Sequence, residues 1–178
     1  MRFWLLCIFI STTLFGANSN SLLHRAQASI FPKLILLTKE PKNALVDGKI
    51  IFVIVYEEKD AVSASKLQTL MQQQYNGYIE EYPFNVVLIQ YSKLDESLKA
   101  SAIMALHSEK HIELPAKLAI KKKIISFVDD VAYLNYGYLF SLNLERSTVI
   151  YMNKPMLPYY GIEFSDTLYH VVRFFDEQ

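Results

Sequence analysis

Cysteine is nearly absent from this chain. The single one among 178 residues is Cys7, inside the first apolar run. Beyond that run there is no thiol to form a disulfide, attack a substrate or ligate a metal. Glycine is scarce as well, with five in the whole chain. Neither a P-loop nor a G-x-G-x-x-G turn can be written, so these phosphate cradles are excluded. No G-x-S-x-G surrounds a serine, which removes the nucleophile elbow of a serine hydrolase. Excess positive charge is missing too: Lys+Arg 18 and Asp+Glu 18 leave a formal net charge of zero. Non-specific nucleic-acid binding needs a positive field, so no nucleic-acid partner is expected. No apolar run approaches the ~18 residues of a membrane span.

What is present is a core-forming composition. The chain is 52% hydrophobic and 20% charged, which fits one folded domain of ordinary size. Arg2 is followed by the apolar residues 3–10, then Ser11-Thr12-Thr13 and the small pair Gly16-Ala17. A positive start, a short apolar core and a small-residue exit are the parts of a secretory leader. Cleavage after Ser19 places Ala17 at the minus-three position. Cleavage after Ala17 and an uncleaved anchor remain open. Cys7 comes too early in the apolar run to be a lipoprotein acceptor. The expected organisation is a leader over 1–19, a single domain over 20–178 and a periplasmic location.

The spacing predicts alternating elements. Leu22, Leu23, Ala26, Ile30 and Leu34 recur at helical intervals, with Pro32 expected to kink the helix or force a restart capped by Ser29. Residues 49–56, KIIFVIVY, are β-branched and aromatic without alternation, so the strand is expected to be covered on both faces. A helix over 61–74 follows, capped by Asp60, with Val62, Leu67, Leu70 and Met71 as its apolar stripe and Asn76-Gly77 as its left-handed stop. Residues 84–91 form a second buried strand and 95–99 a turn. A third strand is expected over 100–106, a helix over 109–121 and a fourth strand over 124–128. Lys121-Lys122-Lys123 suits the cationic last turn of that helix. Two further strands, 138–144 and 149–153, face each other across Glu145-Arg146-Ser147-Thr148, and a final helix closes the chain. The fold class is therefore α/β: a single domain with a mixed, mostly parallel sheet, helices on both faces, and a C-terminal β-hairpin plus helix.

In an open parallel sheet, ligands sit beyond the C-terminal ends of the strands. Here those ends carry Glu57, Asp60, His107, Ser108 and Asp129, a candidate ligand rim. Strand ends and helix caps are polar in every α/β protein, so the bland reading stands beside the functional one. His107 and His111 have metal-ligand spacing, but Ser108 occupies the Glu position of H-E-x-x-H. A solvated helix start accounts for them, and no metal or cofactor is expected. Of twelve tyrosines, Tyr136, Tyr138, Tyr151, Tyr159 and Tyr160 cluster around the hairpin. Tyrosine is enriched at interfaces and also suits half-buried strands. These five are the candidate partner surface.

Several blocks resemble the YfiR/HmsC-like periplasmic proteins: Phe31-Pro32-Lys33, the strand over 49–56, Ile125-Ser126-Phe127, Gly137-Tyr138-Leu139-Phe140-Ser141-Leu142, and Gly161-Ile162-Glu163-Phe164-Ser165 with the tail 168–174. The resemblance implies an exported, non-enzymatic α/β regulator that acts on an inner-membrane sensor protein, of the diguanylate cyclase type or a histidine kinase, and thereby on cyclic-di-GMP and biofilm formation. It also implies a homodimer. The chain lacks the periplasmic cysteines of that family, and Thr38-Lys39-Glu40-Pro41 replaces its Trp-Pro corner. The alternative reading is a small periplasmic solute-binding protein that delivers a ligand to a transporter or sensor. A small exported hydrolase using the acidic rim is a third. The leader reading makes a direct prediction: mass spectrometry of the exported protein finds Asn20 at the N-terminus, and an intact Arg2 in that fraction contradicts it.

Overall fold

The apolar run that begins at Ile50 becomes the strand from which the sheet is built outward. The computed structural model describes residues 14–175, with side chains from 21 onward; most of the expected leader lies outside the described residues. Its helices and strands, in chain order, are α1 (Leu14–Leu34), β1 (Ile50–Tyr56), α2 (Ala61–Tyr75), β2 (Tyr78–Ile79), β3 (Tyr82–Gln90), β4 (Ala102–Ala105), α3 (Glu113–Lys122), β5 (Ile125–Val128), β6 (Phe140–Leu144), β7 (Thr148–Met152), α4 (Leu157–Tyr160), α5 (Asp166–Val171) and β8 (Val172–Phe174). They form one eight-stranded sheet in the order β2-β3-β1-β4-β5-β6-β7-β8. Strands β3, β1, β4, β5 and β6 are parallel, β7 runs antiparallel to β6, and β8 is parallel to β7. The expected α/β class with a mixed, mostly parallel sheet is the class observed.

One face of the sheet is held by aromatic rings. Phe52, Phe127 and Phe140 share that face, and α1 lays Phe31 on Phe127 with ring centroids 4.5 Å apart. Phe127 also stacks with Phe52 and with Phe140, each at 5.6 Å, and Phe164 meets Phe140 edge-on at 5.5 Å. All five rings are essentially inaccessible to solvent. Helix α2 covers the same face over β1 and β3, and α3 packs on the opposite face against β4 and β5. There Ser126 supplies a polar core contact. Its hydroxyl accepts from the Leu139 N–H at 3.0 Å and meets the Tyr160 hydroxyl at 2.5 Å.

Local differences from the sequence expectations have physical causes. Helix α1 does not restart at Ser29. Pro32 lies in its last turn, and the backbone tightens into a 3-10 turn at Ile35–Leu37. Strand β3 is half-buried because no helix spans the passage from β3 to β4 and its far face stays partly open. Of the expected α2 stripe Leu67 and Met71 are buried, together with Ala64, and Leu70 is half-buried, but Val62 is 83% exposed. Helix α3 starts four residues later than expected, at Glu113. The closing helix is a six-residue turn, after which the chain straightens to add β8 beside β7. Asp60 stands at the start of α2 but makes no side-chain cap bond. Tyr138 and Tyr160 are fully buried and do not belong to a partner surface. Their hydroxyls donate to the carbonyls of Ile112 at 2.5 Å and Gly137 at 2.9 Å, satisfying core polar groups.

The ring stack predicts a large effect of truncation. Phe127→Ala lowers the unfolding free energy by about 3–5 kcal/mol, read from the midpoint of a denaturant titration. A loss under ~1 kcal/mol would mean that the layer does not hold the sheet.

Candidate functional site

The parallel strands run in the order second, first, third, fourth, fifth. The chain adds β3 on one side of β1 and then crosses to add β4 on the other. Ligands of open α/β sheets bind where this reversal occurs, beyond the C-terminal ends of the strands. All five expected rim residues lie there. Glu57 follows β1 directly, Asp60 closes the 3-10 turn Glu58–Asp60, His107 and Ser108 follow β4, and Asp129 follows β5.

Hydrogen bonds lace these strand ends together. The Ser108 hydroxyl donates to Glu57 Oε1 at 2.5 Å and accepts the His111 N–H at 3.0 Å. The His107 backbone N–H donates to Asp129 Oδ2 at 3.0 Å. The His107 ring stacks on Tyr133, and its Nδ1 lies 2.5 Å from the Tyr133 hydroxyl. Tyr91 donates to the Leu106 carbonyl at 2.7 Å. His107 and His111 thus have different neighbours: the His111 ring lies by Tyr91. Among the described residues no group of three His, Cys, Asp or Glu side chains could hold a metal ion.

The sequence reading missed Gln27. It is buried in α1, and its Nε2 donates to the Asp129 carbonyl at 3.4 Å. Gln27 and Phe31 are one helical turn apart, so they share a face of α1. Phe127 lies in β5 and Asp129 directly follows that strand's last residue, Val128. Four helical residues rise about 6 Å, and two residues of extended chain advance a similar distance. The Phe31–Phe127 stack and the Gln27–Asp129 contact are therefore neighbouring contacts of α1, one on β5 and one on the backbone just past its end. The available signal was a glutamine between Ala26 and Ala28 on an otherwise apolar helix face.

The electrostatics of the rim are uneven. Burial, reinforced by the neighbouring charge of Asp130, pushes the Asp129 carboxyl up to about 6, against the opposing pull of the His107 N–H. Burial also pushes up the Tyr91 hydroxyl, and the charges of Asp129, Glu57 and Asp60 add to that rise. Among the described residues four buried side-chain atoms lack a partner: Gln27 Oε1, Asp60 Oδ2, Asp129 Oδ1 and Ser165 Oγ. Three of the four are acceptors at this one edge. A cavity of about 550 Å³ opens at the opposite, N-terminal edge, lined by Lys39, Lys122, Lys123, Gly161 and Glu163 among others. We place the candidate site at the rim, because there buried polar atoms are left without partners, and none of the unpartnered atoms belongs to that cavity's lining.

The tyrosines divide. Tyr136 is 43% and Tyr159 65% exposed, while Tyr151 donates to Glu145 at 2.6 Å beside Arg173. Tyr136 packs against Tyr133 at 6.0 Å, so one exposed tyrosine adjoins the rim.

Comparison with known proteins adds the fold alone. No family model matches the chain, and no curated protein does either. The chain is similar in structure to a conserved domain protein from Vibrio cholerae, with a TM-score of 0.61 and 14% identity over 85% of this chain and 59% of that one. It is also similar to an ABC domain from Streptococcus pneumoniae solved in complex with L-Trp, with a TM-score of 0.57 and 11% identity over the same shares, 85% and 59%. The chain thus spans 59% of the length of each. No helix among the described residues is long and apolar enough to cross a membrane.

The raised Asp129 carboxyl sets a pH dependence. Its native value of about 6 lies above the ordinary value of 3.8, so the native state holds the proton to higher pH than the unfolded chain. The sign follows: this group favours folding below about pH 4, and that contribution is lost as pH rises through about 6. Asp129→Asn is expected to raise stability near pH 7.5 by on the order of 1–2 kcal/mol and to leave it unchanged near pH 3.5. Thermal melts across pH 3.5–8 check this, and equal melts at pH 7.5 would contradict it.

Proposed function

We propose that this chain is a small-molecule-binding α/β domain that reads its ligand at the C-terminal strand edge. The observation that carries this reading is the set of buried, unpartnered acceptors on Gln27, Asp60 and Asp129. Such atoms cost stability unless something completes them, and they lie at the position where open α/β sheets bind ligands. The reading is supported by a protein of similar fold that was solved with L-Trp bound. It corresponds to the solute-binding alternative drawn from the sequence, in a periplasmic setting if the leader is used.

A regulatory role of the kind the family resemblance implies is the second reading. The observation favouring it is Tyr136, exposed and packed on Tyr133, which bonds His107 at the rim. A partner contacting Tyr136 would sense the ligand through two side chains. An inner-membrane sensor protein is that partner in this reading.

Thermal melts of the full chain against amino acids, amines, carboxylates and nucleotides test the first reading. A true ligand at ~100 times its Kd raises the melting temperature by roughly 5–10 °C, and Gln27→Leu removes the rise. No rise with any class, or a rise untouched by Gln27→Leu, counts against the site. For the second reading, Tyr136→Ala abolishes capture of the sensor protein from detergent-solubilised inner membrane while leaving the melting temperature unchanged. Equal capture by both forms rejects the Tyr136 contact.

A further inference from the structure

We propose that the outer edge of β3 pairs with β3 of a second copy of this chain, antiparallel across a two-fold axis, so that two sheets become one. The backbone shows which groups are free to do this. Ile51 and Val55 turn their carbonyls to the β4 side, where the Ser101 and Leu106 N–H groups meet them at 2.8 and 2.9 Å. Ile50, Phe52, Ile54 and Tyr56 therefore turn their backbone groups to β3. In the parallel register Phe52 lies beside Val86 and bonds the residues flanking it, so Asn85, Val87 and Ile89 point inward. Val86, Leu88 and Gln90 point outward. Two contacts agree with that alternation: the Phe84 N–H reaches the Gly77 carbonyl on the β2 side at 2.8 Å, and Gln68 Nε2 of α2 reaches the Val86 carbonyl at 2.8 Å. Among the described residues the outward N–H groups of Val86, Leu88 and Gln90 have no hydrogen-bond partner.

Edge strands are normally guarded by charge, proline, a bulge or shortness. The opposite edge of this sheet follows that rule: β8 is three residues long, and its Arg173 engages Glu145 and Tyr151. The β3 edge does not. No charged residue lies between Glu81 and Lys93, and no proline follows Pro83 in the strand. The helix above it is equally bare. The one charged residue of α2 is Lys66, which turns to Ser21 of α1, while Gln68 faces the edge with exposed Ser65 and Gln72 a turn to either side. Loss of charge from a surface patch is the mark of an interface core.

The length of the gap selects a second copy over a longer strand. At one end β2 already occupies the edge beside Tyr82 and Pro83. With Leu88 opposite Leu88 of the copy, Gln90 of the copy meets Val86, just short of β2. There its chain leaves the sheet edge in the 3-10 turn Tyr91–Lys93, whose Tyr91 reaches inward to the Leu106 carbonyl at 2.7 Å. This register gives every outward N–H an outward carbonyl, Val86 accepting on its second lone pair. Val87 stands opposite Ile89 of the copy, a cross-strand pair of β-branched side chains. The first charges beyond the paired stretch are Glu81 at one end and Lys93 at the other. Antiparallel pairing sets the Glu81 end of one copy by the Lys93 end of its mate, so the flanking charges are opposite in sign. Because α2 lies over both β1 and β3, the two copies bring their uncharged helix sides together on one face.

The test joins analytical ultracentrifugation of the full chain, over a wide concentration range, to amide hydrogen exchange. The expected species is a dimer that dissociates on dilution. As it forms, the Val86, Leu88 and Gln90 amides become protected, while those of Val87 and Ile89, bonded to β1, are protected throughout. Leu88→Lys and Leu88→Glu each place like charges opposite one another and raise the dissociation constant roughly tenfold or more. Mixing the two variants restores the dimer, because the central pair is then Lys against Glu. Gln90→Pro, which removes an outward N–H that β1 does not use, weakens the dimer likewise and serves should the Leu88 variants perturb the fold. A monomer at every concentration overturns the proposal. So does a dimer whose Val86, Leu88 and Gln90 amides exchange freely, or one that the variants leave intact. A mixture of the two Leu88 variants that stays monomeric overturns the two-fold register. Protection of the outward amides only when another protein is added identifies a foreign strand and overturns self-pairing. None of these results bears on the ligand reading of the rim, whose own test is the thermal shift.

Discussion

The stack of Phe31 on Phe127 is the contact on which the rest of the molecule depends. It fixes where α1 lies on the sheet and in which rotation. Once that register is set, the residue one turn earlier in the helix stands beside the backbone just past the end of β5. The rise of a helical turn and of two residues of extended chain match closely enough for both contacts to form. A hydrophobic contact in the core therefore delivers a polar side chain, Gln27, to the strand edge that carries the candidate site. The same layer continues through Phe52, Phe140 and Phe164, so β1, β5, β6 and the segment before α5 share one rigid face.

Against this well-satisfied interior the rim is an exception. Ser126, Ser141, Tyr138, Asn153 and Tyr160 are buried, and each has a hydrogen-bond partner. At the rim a carboxylate is held above its ordinary range by burial and a like-charged neighbour, and three acceptors go unmatched. Arrangements that cost stability persist where something other than stability is gained from them. That contrast within a single chain argues more strongly for function than the polarity of the strand ends, which every parallel sheet shows.

Much of the fold was legible in the sequence, because the buried strands announce themselves. The apolar run at 50–56 and the shorter runs ending at Val128 and Ala105 have no polar alternation, which suits strands covered on both faces. The hairpin between β6 and β7 was legible from its polar break, and the end of α2 from Asn76, which takes the left-handed conformation expected of it at φ 47°. The errors fall where tertiary contacts overrule local preference. The tail after Ser165 has a helical pattern, but after one and a half turns pairing with β7 wins and the chain extends into β8. Tyr138 and Tyr160 have the same composition signal as Tyr136 and Tyr159. Only the position of their rings relative to Ser126 and Ile112 separates core from surface.

The residue order by itself determined the α/β class, the main alternation of helices and strands as far as the β6–β7 hairpin and the placing of Glu57, Asp60, His107, Ser108 and Asp129 at strand ends, since these follow from periodicity and from the short range of turn chemistry. It also determined what chemistry is missing, because no fold can supply a thiol or a phosphate loop that the chain does not encode. Which strand neighbours which was decided only in three dimensions. So was the addition of Gln27 to the rim, 102 residues away in sequence from Asp129. The balance of donors and acceptors was likewise a tertiary outcome, because it depends on which polar atoms find partners when α1 closes over the sheet, and single-residue properties carry no information about that pairing.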